Sequence, residues 1–167
     1  MDNMGIVIMC LALWSSLFIS GCSSVDDGEI SIVFTGDVML DRGVRQQIER
    51  KGIDHIFSAV KDSFLAADAT VINLECPLTD VEDPQEKQFV FKANEEWATS
   101  LKANGIPHAA IANNHAYDQG RIGLAKTIKA LKENNIVPIG FGLSDPERIK
   151  PIKISKNGIK TAIWKRS

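Results

Sequence analysis

The chain has 167 residues, a formal charge of −2 at pH 7 and 44% hydrophobic residues, which suits one folded domain of ordinary size. That balance excludes a nucleic-acid binder, because no long basic stripe runs through it.

The first 28 residues contain no Lys or Arg, and residues 4–19 are almost wholly apolar. A bilayer span takes about 20 such residues, so the run is marginal for crossing. It suits the apolar core of a signal peptide. Ile19-Ser20-Gly21-Cys22 follows and resembles a bacterial lipobox, in which Cys22 would be diacylated and become the mature N-terminus. The positive residues that usually open a signal peptide are missing, with Asp2 in their place; an uncleaved anchor or a different start codon is the alternative. In the lipoprotein reading, residues 1–21 are removed, 22–29 form an acidic tether, and 30–167 form the domain. Cys76 is then the one thiol left, so no disulfide framework is possible. With no His close to it in sequence, Cys76 reads as a small buried residue rather than a nucleophile.

In chain order, Ile30-Ser31-Ile32-Val33-Phe34 is a first strand that ends at Thr35-Gly36-Asp37. A loop to Asp41 and a short helix over residues 43–51 follow, stopped by Gly52. Asp54 is placed to cap one helix that buries Ile56, Phe57, Val60 and Phe64. His55 lies in its first turn and reads as surface or satisfied core. Thr70-Val71-Ile72 is a second strand, and Pro77 stops its pairing so that Asn73 and Glu75 sit at its end. Residues 79–87 read as an exposed loop, and Phe89-Val90-Phe91 as a short edge strand. Asn94 is placed to cap a helix through Trp97 and Leu101, closed by Asn104-Gly105. A third strand over residues 107–111 has His108 at its far end from the site. It leads into Ala112-Asn113-Asn114-His115-Ala116-Tyr117-Asp118-Gln119-Gly120. A helix over residues 120–135 comes next, with Leu124, Ile128 and Leu131 on one face. A fourth strand begins at Val137 and turns at Gly140-Phe141-Gly142. Residues 149–154 and 159–164 read as a hairpin about Lys156-Asn157-Gly158.

Strands alternating with helices make the class α/β with a largely parallel sheet flanked by helices. In such a sheet the carboxyl ends of the strands lie along one edge, so Asp37, Asn73 with Glu75, and Asn114 with His115 can meet. Carboxylate, amide and imidazole donors suit Mn, Mg, Fe or Zn. A two-metal centre would polarise a phosphoryl oxygen and supply hydroxide, and a nearby His could protonate the leaving oxygen. The competing reading of the third motif is that its Asn, Asp and Gly are turn residues and that Asp118 caps the next helix.

Residues 34–40, 73–79 and 112–120 resemble successive motifs of the bacterial capsule-synthesis family, CapA of poly-γ-glutamate capsule synthesis. That family is related to the calcineurin-like metallophosphoesterases, and the resemblance covers residues 30–164. It implies a metallophosphoesterase-like sandwich holding divalent metal, with Asp37, Glu75 and Asn114 as metal ligands. His115 would contact the phosphate or act as acid, Asp118 would orient His115, and Asn73 and Asn113 would lie behind the ligands. Asp41 is close enough to Asp37 to assist. Met39 stands where the phosphoesterases carry a His, and Cys76 where the family often has Gly. The resemblance also implies that this chain is C-terminally truncated, without the later histidines of the superfamily, and that its last strand leaves an open sheet edge prone to association.

The role implied is a surface-anchored component of capsule or exopolymer synthesis, held to a membrane by lipid outside the cytoplasm. Its partners would be an anionic polymer or other capsule-synthesis proteins. The alternatives are a metal-dependent phosphoester hydrolase and a non-functional fragment of a longer gene.

Overall fold

The computed structural model describes residues 28–141 and 150–165. The signal segment, Cys22 and Gly142 lie outside the described residues. Four parallel strands carry the fold: β1 (Ile32–Val38), β2 (Ala69–Leu74), β3 (His108–Ala110) and β4 (Val137–Ile139), paired in that order. Chain order equals spatial order, so successive crossovers pass over the same face. That face holds α1 (Arg42–Lys51), α2 (Ile53–Phe57), α3 (Lys61–Ala66), α4 (Trp97–Ala103) and α5 (Gly120–Glu133). Their apolar stripes meet Ile72, Leu74, Ala109 and Ile111 of the sheet in one core, to which Phe57, Phe64, Leu101, Ile128 and Leu131 contribute.

Alternate strand residues point the other way. Val71, Ala110 and Ile139 face a hairpin of β5 (Ile152–Lys156) and β6 (Ile159–Ile163), which packs on them through Ile152 and Ile163. The turn between β5 and β6 uses Asn157 at φ 48° and Gly158 at φ 82°, the two left-handed residues that a tight hairpin turn requires. The result is helices, parallel sheet and hairpin in three layers. This is the α/β class expected, with a four-stranded parallel sheet, and it is consistent with part of a metallophosphoesterase-like sandwich.

Several local expectations are corrected. β1 begins at Ile32 rather than Ile30 and runs one residue past Asp37, after a register shift between Phe34 and Asp37. The single helix from Asp54 is two: Val60 N–H turns back to the Phe57 carbonyl at 2.9 Å, and Val60 is left 39% exposed. Asp54 caps neither helix, and its Oδ1 accepts from Asn104 Nδ2 at 2.7 Å. Asn94 does not cap α4 with its side chain; Glu96 holds that position, while Asn94 Oδ1 accepts from Arg45. Residues 89–91 form no strand, because the segment pairs only through a bridge between Leu78 and Ala93. Thr79 is buried in that pairing rather than exposed. The hairpin stacks on the sheet instead of extending it, so β6 is not an edge of the main sheet; β1 and β4 are.

Candidate functional site

The register sets Asp37 of β1 beside Asn73 of β2, and Asn73 beside Ala110 of β3. Three strand ends therefore reach one edge. Asn73 is the knot between them. Its Nδ2 donates to Asp37 Oδ1 at 2.7 Å and to Glu75 Oε2. Its Oδ1 accepts from Asn113 Nδ2 at 3.2 Å and from Lys165 Nζ at 2.6 Å. Asn113 also donates to the Leu74 carbonyl at 2.8 Å, and its Oδ1 accepts the His115 N–H at 3.0 Å. One amide relay thus ties the ends of β1 and β2 to the turn after β3.

The second half of the site is built on Asp118. Its side chain has no solvent exposure, and a carboxylate in that position needs several donors. It has three: His115 Nδ1 at 2.6 Å, Lys87 Nζ at 2.8 Å and the Phe91 N–H at 2.8 Å. Asp118 is therefore not the cap of α5, whose N-cap position is Gln119, with no side-chain capping bond. His115 is held by its Nδ1, and its ring lies 4.3 Å from that of Phe91. Gly120 follows at φ 65°, and a side chain there would collide with the Asp83 carboxylate.

Asn114 is exposed, and its backbone carbonyl accepts from Lys87 at 2.7 Å. Asp41 is occupied elsewhere. Its side chain caps α1 by accepting from the Arg42 N–H, and it also accepts from Arg45 Nε at 3.0 Å and the Lys92 N–H at 2.9 Å. Burial alone would raise the Asp41 carboxyl, but these donors outweigh it and hold it below the ordinary value. Cys76 is buried, accepts from the Leu40 N–H, and has its thiol pushed up to about 12 by burial, so it is no nucleophile at neutral pH. His108 lies at the opposite end of β3, near the Thr70 carbonyl, and burial lowers its basicity. Lys87, Phe91 and Lys165 belong to the site but carry no motif of their own. Lys87 and Phe91 come from the long loop before α4, and only the tertiary fold brings them in.

Asn73 donates its amide nitrogen to one oxygen of Asp37 and one of Glu75, as a residue lying behind two carboxylate ligands would. Asn114, the implied amide ligand, is exposed. Among the described residues no three or more His, Cys, Asp or Glu side chains gather as a group that could hold a metal.

Residues 31–167 match the family model described as bacterial capsule synthesis protein PGA_cap. The chain belongs to that family. PGA_cap relatives include the PGA biosynthesis protein CapA of Bacillus subtilis (strain 168), 33% identical over 139 residues, which are 81% of this chain and 37% of the relative. The capsule biosynthesis protein CapA of Bacillus anthracis is 29% identical over 141 residues, 82% of this chain and 34% of the relative. The chain thus spans about a third of the length of these CapA relatives, and the matched span contains all three motifs of the site edge.

Proposed function

We propose that the chain is a surface-anchored component of capsule or exopolymer assembly, working as a binding and assembly element on a metallophosphoesterase-like scaffold. It is held outside the cytoplasm by lipid on Cys22. Membership of the PGA_cap family supports the process, and the Asn73 knot supports the binding role. Asn73 bonds one oxygen of Asp37 and one of Glu75, and with Asn113 it ties three strand ends together. The partners proposed are an anionic polymer such as poly-γ-glutamate, or other capsule-synthesis proteins. No described helix is long and apolar enough to cross a membrane.

The second reading, metal-dependent hydrolysis of a phosphoester, rests on the His115–Asp118 pair, which fixes the orientation of an imidazole in the turn after β3. A capsule-deficient strain complemented with the unaltered chain and with His115→Ala separates the two. Equal surface polymer from both supports assembly; polymer lost with His115→Ala favours hydrolysis, and no polymer from either would sink both. Palmitate incorporation lost in Cys22→Ala is expected, and unchanged labelling would remove the anchor from the proposal.

A further inference from the structure

The Phe91 segment stands where two parts of the site meet. The Phe91 N–H donates to Asp118 Oδ2 at 2.8 Å, and the next N–H, that of Lys92, donates to Asp41 Oδ2 at 2.9 Å. Two successive amides thereby tie the turn after β3 to the start of α1. Two side chains pack on the Phe91 ring. The His115 imidazole is centred 4.3 Å from it, and the Arg42 guanidinium carbon lies 4.9 Å from its centre. That guanidinium also lies 5.0 Å from the centre of the Phe89 ring, which is half exposed.

The Arg42 backbone is left-handed, at φ 54°, a conformation that residues with side chains rarely adopt. Such strain persists only where neighbours fix it, and Asp41 accepts the Arg42 N–H at 2.8 Å. Asp41 also accepts from Arg45 and from Lys92. Among the described residues no carboxylate pairs with the Arg42 side chain, and Arg42 is exposed. Aromatic faces hold a cation in place without neutralising it. The guanidinium is therefore both charged and positioned, and its planar fork of N–H donors matches the paired oxygens of a carboxylate or phosphoryl group. A donor ordered in advance also loses less freedom when an anion binds.

We propose that Arg42 is the oxyanion-recognising residue of this site, taking a carboxylate or phosphoryl group of a ligand that lies along Phe91 beside His115. This assignment rests on the reading of the edge as a binding site for an anionic partner and gives that partner its point of contact. The complementation experiment above tests the capsule role by itself, so polymer made there with no binding here strikes Arg42 alone.

Calorimetric titration of the full chain with two probes, a short oligomer of γ-linked glutamate and inorganic phosphate, tests it. At least one is expected to bind, and Arg42→Gln is expected to weaken that binding about tenfold or more. The probe that binds tells whether the group recognised is carboxylate or phosphate. Binding of neither probe to the unaltered chain overturns the proposal, as does equal affinity in Arg42→Gln. If Arg42→Gln does not fold, Arg42→Lys keeps the charge, loses the fork and is held to the same outcomes. Nitrogen-edited NMR spectra check the contact directly. The side-chain Nε resonance missing from Arg42→Lys is expected to shift when the binding probe is added to the unaltered chain, and a resonance that stays in place overturns the assignment.

Discussion

At the scale of the residue, Asp41 and Asp37 show how neighbours decide what a carboxylate does. The two stand four apart, and by spacing either could serve the site. Asp41 sits where α1 begins, so its oxygens go to the Arg42 N–H, to Arg45 and to the Lys92 N–H. Asp41→Ala should therefore cost about 1 kcal/mol, as loss of a helix cap does, measured as a shift in urea unfolding at pH 7. The pH dependence has a definite sign. The folded carboxyl titrates below its ordinary 3.8, so its contribution is complete above pH 3.8 and is lost as pH falls through the lower folded value. The gap between unaltered protein and Asp41→Ala should close in that window, and a gap that persists at lower pH would contradict the assignment. Asp118 makes the opposite lesson: its motif admitted a cap or a partner for His115, and burial with three donors makes it the partner.

At the scale of the element, α5 was the most legible segment, because its apolar positions repeat at helical spacing and its buried positions obey it. Gly123, Leu124, Thr127, Ile128 and Leu131 form the buried stripe. Thr127 adds a polar fastening, accepting the Leu78 N–H at 3.0 Å and donating to the Gly123 carbonyl at 2.9 Å. Leu131 has no exposure, and Leu131→Ala should cost about 2–5 kcal/mol in denaturant unfolding; a loss below about 1 kcal/mol would show that the core collapses around the gap. The loop from Pro77 to Phe91 was the least legible. It lacks periodicity, and its order comes from distant partners, with Lys87 and Phe91 both held by Asp118. The alternation in Phe89-Val90-Phe91 suggested a strand, but Phe89 and Phe91 instead lie against the Arg42 guanidinium. Stacking of that kind gives no periodic signal beyond the alternation that a strand would share.

At the scale of the whole molecule, the two faces of the sheet are unequally covered. The helical face holds the large core, whereas the hairpin's apolar packing is on the small group Val71, Ala110 and Ile139, with Phe34 61% and Trp164 68% exposed. Hydrogen exchange should follow this difference, with amides of β5 and β6 exchanging faster than those of β2 and β3; equal protection would mean that the hairpin opens only with the whole fold. The alternation of strands and helices, the amphipathic face of α5, the Asn157-Gly158 turn and the polar character of three strand ends could be read in the chain itself, since each depends on neighbours a few residues away. The direction of the Asn73 amide, the burial of Asp118 and the arrival of Lys87 and Lys165 could not. Those depend on groups far apart in sequence that meet only once the strands and loops have packed.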